Sequence, residues 1–93
     1  MKSQPTYRNV METLVIEALE HRIGELPIEH RTGCDLNDAI AYALNRLPAV
    51  YTTNEITWTR QRDRLRHSMG DLIMEAAVWG LERACQPRSQ LAS

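Results

Sequence analysis

Arg60, Arg62, Arg64 and Arg66 stand at alternate positions just after Trp58, the densest run of chemically capable side chains in the chain. A guanidinium is a planar, permanently charged fork that pairs two-fold with a phosphate or with the O6 and N7 acceptors of guanine, and it stacks on aromatic faces. Tyr51 adds a second flat surface a few residues upstream. Because ten of the eleven basic residues are arginines, the positive charge is carried by forks rather than by the point charges of lysine. Such a cluster suits a ligand that joins phosphates to flat bases. The plainer alternative is a solvated helical face relieved by Glu55, Asp63 and local i to i+4 pairing.

Other candidates are weaker. Tyr7, Arg8 and Asn9 precede a helix, whose unpaired N–H groups favour anions, although capping is the ordinary role there. Asn45 and Arg46 close a second helix, where polar side chains cap carbonyls as readily as they meet a ligand. His30 and Cys34 are four apart and could give two metal ligands, but zinc normally takes four and no second pair is near. No glycine-rich phosphate loop, His-Glu-x-x-His pattern or Gly-x-Ser-x-Gly elbow is visible, nor the carboxylate and histidine cluster of a metal-dependent hydrolase. The expectation is a binding protein, not an enzyme, with no metal or cofactor.

The elements that must position these residues are helical. Asn9 precedes Glu12 by three in a capping-box-like spacing, and Met11, Leu14, Val15, Ala18, Leu19 and Ile23 recur at helical intervals until Gly24 and Pro27. Asp35 is the expected N-cap of a second helix, with Leu36, Ala39, Ile40, Ala43, Leu44 and Leu47 on one apolar face and Pro48 as its stop. Ala49 to Asn54 should be extended. A third helix is expected from about Asn54 to Ala84, with Trp58, Leu65, Met69, Leu72, Ile73 and Ala76 on one side and Gly70 as its weak point. Trp79 and Leu81 widen its apolar surface. With Trp58 and Leu65 as the buried direction, Arg62 lies about 50° from it and Arg66 about 90°, whereas Arg60 and Arg64 lie more than about 100° away. Arg62 and Arg66 are therefore the preferred pair.

The chain has 93 residues, 43% hydrophobic and 25% charged, with a net charge of -1, which suits one soluble domain and gives no field that argues for nucleic acid. The expected organisation is a flexible 1–6, a helical domain over 7–87 and a flexible 88–93. The fold class is all-α: three main helices, the last one long. Its long apolar stripe points to a homodimer. The polar N-terminus lacks the apolar run of a signal peptide, so a cytoplasmic location is expected, with Cys34 and Cys85 as free thiols.

These residues resemble the ComFB family. The similarity is carried by Asn9-Val10-Met11-Glu12 with Leu14-Val15, by the run from Ala41 to Tyr51 with its Ala-Leu-Asn-Arg-Leu-Pro core, and by Trp58, Gln61 and Gly70-Asp71. It spans roughly residues 7 to 87. One branch of that family holds zinc with a cysteine cluster between its first two helices, where this sequence has only His30 and Cys34. The chain is more similar to the branch common in cyanobacteria, which has the Trp-x-x-Gln element and includes dimeric receptors for cyclic dinucleotides. Thr57 stands where that branch often has glycine. The resemblance implies a second-messenger receptor for cyclic di-GMP or cyclic di-AMP that regulates a partner protein such as a transcription regulator. Arg62, Arg66, Trp58, Tyr51, Arg8 and Asn45 are the candidate ligand-binding residues. The competing reading is a ligand-independent helical adaptor working through the apolar surface near Trp79 and Leu81.

Overall fold

The computed structural model describes residues 6–27, 30 and 33–85. The order is β1 (Arg8–Asn9), α1 (Val10–Glu25), α2 (Leu36–Leu44), β2 (Tyr51–Thr52) and α3 (Glu55–Ala84). The architecture is all-α, three helices with a two-residue ladder as the only strand pairing among the described residues. Most of the tails expected at 1–6 and 88–93 lie outside the described residues.

Each helix starts where a short polar side chain can accept an orphan N–H. Asn9 Oδ1 accepts from Met11 N at 3.1 Å, Asp35 Oδ1 from Asp38 N at 3.2 Å and Asn54 Oδ1 from Thr57 N at 2.8 Å. Asn9 does more than cap: the same oxygen accepts from Val50 N at 2.9 Å, and Val10 N donates to Val50 O at 2.7 Å. These bonds lash the start of α1 to the strand before α3. In the antiparallel ladder, Arg8 faces Thr52 and Asn9 faces Tyr51. The reciprocal half of a capping box is absent, since Glu12 has no partner among the described residues.

α1 ends at Glu25, with the Leu26 N–H donated to Ile23 O ahead of Pro27. α2 is shorter than its apolar spacing predicts. It stops at Leu44, and the Arg46 and Leu47 N–H groups reach back only three residues, to Ala43 O and Leu44 O. A tightened last turn brings the chain to Pro48, which cannot donate. α3 runs unbroken through Gly70, so that position is no break; packing on both flanks outweighs its low propensity.

The core joins Val10, Met11, Leu14, Val15 and Leu19 of α1 to Ala39 and Ala43 of α2 and to Leu65, Ile73, Ala76, Ala77 and Leu81 of α3. α2 and α3 meet through small residues. A Cβ on Gly80 would lie 2.5 Å from Ala39 O and 3.1 Å from Ala43 N, so this crossing requires glycine. Three apolar assignments are corrected. Leu72 and Leu36 are 54% and 47% exposed, Leu72 because α3 buries a stripe of small residues and Leu36 because it sits on the first turn of α2. Leu81 does not widen the surface: it is 5% exposed and part of the core.

The cysteines are also corrected. Cys34 and Cys85 form a disulfide across 51 residues rather than two free thiols. Gly33, at φ 81, turns the chain toward the α2 cap, and α2 packs on the end of α3, so the two half-buried sulfurs meet. Sequence spacing carries no trace of this juxtaposition. A formed disulfide pulls against the expected reducing compartment. No helix among the described residues is long and apolar enough to cross a membrane.

Candidate ligand-binding site

The ladder places Arg8 beside the first turns of α3. Its guanidinium lies 4.5 Å from the centre of the Trp58 ring, and that of Arg62, one helical turn after Trp58, lies 5.0 Å from the same ring. Two cations over one indole repel each other, so each needs a counter-charge. Arg8 is 3.7 Å from Glu55, and Arg62 donates to Asp63 at 3.2 Å. These are exposed pairs that an incoming anion can replace at small cost. The Trp58 Nε1–H is buried without an acceptor, a state that costs about 1–3 kcal/mol and that an acceptor oxygen would relieve.

Tyr7 and Tyr51 stand beside this cluster, rings edge-on at 5.6 Å and 80° and each 62% exposed. Two clefts share Tyr7 and Arg8. One, of about 210 Å³, runs past Thr52, Asn54, Glu55 and Trp58; the other, of about 310 Å³, runs past Glu12, Thr13, Ile16 and Tyr51. The surface thus offers aromatic walls, two forks and polar groups of both kinds within one contiguous region, which is what a ligand of bases and phosphates needs.

Of the residues expected to bind ligand, the structure brings together Arg8, Trp58, Arg62 and Tyr51. Arg66 is placed elsewhere. Its Nη2 donates to Glu17 Oε1 on α1 at 2.7 Å and its Nη1 lies 3.5 Å from Asp63. The hydrogen bond to Glu17, that carboxylate's charge and a smaller contribution from Asp63 raise the Arg66 pKa above its ordinary value, against a little desolvation. Arg66 therefore ties α1 to α3. Asn45 is the C-cap of α2, donating its backbone N–H to Ala41 O, and lines neither cleft. Arg60 and Arg64 are exposed, as their helical angles predict.

A second pair of guanidiniums was not foreseen. Arg46 and Arg83 lie 4.4 and 4.5 Å from the centre of the Trp79 ring, with Tyr42 edge-on at 6.0 Å. The shared spacing, arginine four residues after tryptophan on one helix, was the available signal. Among the described residues no three histidine, cysteine, aspartate or glutamate side chains gather to hold a metal, and Cys34, joined to Cys85, offers no thiolate.

The fold and site together define a small three-helix domain with an arginine and aromatic face at the joint of its first and last helices. The chain belongs to the ComFB family: the model of the late competence development protein ComFB matches residues 8–86, nearly all of the chain. A comparison with curated proteins finds no match.

Proposed function

We propose that this protein is a non-catalytic receptor for a cyclic dinucleotide, acting as a cytoplasmic homodimer that engages a regulatory partner according to ligand occupancy. The observation that carries this reading is the placement of Arg8 and Arg62 over Trp58 beside the exposed Tyr7 and Tyr51. Phosphates would exchange with Glu55 and Asp63 on the two forks, and purines would stack on the tyrosines. The net charge of -1 disfavours long nucleic acid, whose binding scales with the number of phosphates neutralised. In a cytoplasmic setting the Cys34–Cys85 bond would be transient or redox-sensing.

A second reading is favoured by a different surface. Between the end of α2 and α3 lies a groove of about 580 Å³ lined by Leu47, Pro48, Met69, Leu72, Met74 and Trp79. Methionine-rich apolar grooves adapt to helical partners, as a ligand-independent adaptor would require. Calorimetric titration with cyclic di-GMP and cyclic di-AMP, with light scattering on the same sample, separates the two. The receptor reading expects saturable heat from at least one nucleotide and a dimer mass. Absence of heat from both, well above micromolar concentration, would leave the adaptor.

A further inference from the structure

Three of the seven large hydrophobic side chains exposed among the described residues, Tyr7, Ile16 and Tyr51, share a single cleft with Arg8, Asn9, Glu12 and Thr13. Its volume of about 310 Å³ is at the small end of the ~300–1,000 Å³ of ligand pockets, room for one base rather than a whole dinucleotide. Glu12 is the unexplained member. It sits in the first turn of α1, exposed, and has no hydrogen-bond or ion-pair partner among the described residues. Its carboxylate therefore brings two acceptor oxygens and no donor to a cleft whose other walls are the rings of Tyr7 and Tyr51, Ile16 and the polar Arg8, Asn9 and Thr13.

We propose that this cleft is a purine pocket and that Glu12 makes it select guanine over adenine, an inference that rests on the receptor reading above and names its ligand as cyclic di-GMP. The Watson–Crick edge of guanine presents two adjacent donors, N1–H and the exocyclic N2–H, which match the two oxygens of one carboxylate. On adenine the same edge pairs a donor, N6–H, with the N1 lone pair. Against a carboxylate that lone pair is repelled, and one oxygen is left without a proton. Tyr7 and Tyr51 stack on either base and do not discriminate.

The test is titration of the parent, Glu12→Gln and Glu12→Ala with both nucleotides, each protein first shown to keep its helical circular dichroism. The parent should prefer cyclic di-GMP by about tenfold or more, the scale of one bidentate base contact. Glutamine keeps the size but exchanges one acceptor for a donor, the pattern that fits adenine. Glu12→Gln should therefore weaken cyclic di-GMP by about tenfold and tighten cyclic di-AMP, while Glu12→Ala loses the preference without gaining adenine. If the parent binds both nucleotides equally, or prefers cyclic di-AMP, or if its preference survives in both variants, the assignment to Glu12 is wrong and the receptor stands. If the parent binds neither, the receptor reading itself fails and takes this inference with it.

Discussion

The two ends of α3 carry the same local device in opposite surroundings. At each end a tryptophan lies under two guanidiniums, one four residues later on the helix and one from a distant element: Arg62 and Arg8 at Trp58, Arg83 and Arg46 at Trp79. The helical partner follows from i, i+4 geometry and needs no functional explanation. What differs is the rest. Around Trp79 stand Leu47, Met69 and Met74, the Gly80 crossing with α2 and, five residues beyond Gly80, the disulfide. Around Trp58 stand the exposed Tyr7, the half-exposed Arg8 and a two-residue ladder. The same stack of arginine on tryptophan is therefore bound to a helix crossing and a covalent tie at one end and set among exposed aromatic side chains at the other, and the neighbours decide what it can do.

If the Trp79 end holds the fold together, its covalent tie should carry the largest stability effect. Closing a loop of 51 residues restricts the unfolded chain by about 4 kcal/mol in the chain-entropy account. Reduction, or Cys34→Ser with Cys85→Ser, should lower unfolding free energy in urea by about that amount. Affinity at the Trp58 end, about 40 Å away along the helix, should hardly move under conditions where the protein stays folded. An unchanged urea midpoint would remove the anchor role. Next in size is Gly80→Ala, expected to cost about 3 kcal/mol because the added carbon meets Ala39 O and Ala43 N, which are backbone and cannot swing aside. Gly70→Ala is the internal contrast: nothing lies within 4 Å of its Cβ position, so helix propensity should make it stabilising by up to ~1 kcal/mol. Equal effects at the two glycines would show that the α2–α3 crossing is looser than its geometry.

This asymmetry also explains what could be read from the sequence. Caps are local chemistry, so Asn9, Asp35 and Asn54 were legible as helix starts, and the 3.6-residue period exposed most of the core. Relations between elements were not legible. Leu81 and Leu72 exchanged their expected roles because the buried stripe of α3 is set by where Ala39 and Ala43 press on it, which α3's own periodicity does not encode. The disulfide is the extreme case: its halves come together only once α2 packs on α3. Helical angle anticipated that Arg62 is half-buried while Arg60 and Arg64 are exposed, but not that Arg66 pairs with Glu17 on another helix. Arg8 reaches Trp58 only through the ladder with β2.

The arginines give the last and finest comparison, within the Trp58 end itself. Arg62→Ala should weaken cyclic dinucleotide binding by roughly 1.5–3 kcal/mol, the scale of a charged hydrogen bond, and Arg62→Lys should recover only part because a point charge cannot replace the fork. Arg66→Ala should instead loosen the α1–α3 tie and leave affinity nearly unchanged, because its guanidinium is already held by Glu17 and Asp63. Arg60→Ala and Arg64→Ala should change affinity by less than about 0.5 kcal/mol, as exposed charges do. Calorimetry on the four alanine variants, with thermal unfolding of each, resolves the order. If Arg66→Ala weakened binding as much as Arg62→Ala, the ligand would have to draw Arg66 away from Glu17, and Glu17→Gln should then tighten binding by freeing it. If all four variants bound like the parent, the run would be a solvated face, and recognition would rest on Arg8, Glu12 and the two tyrosines.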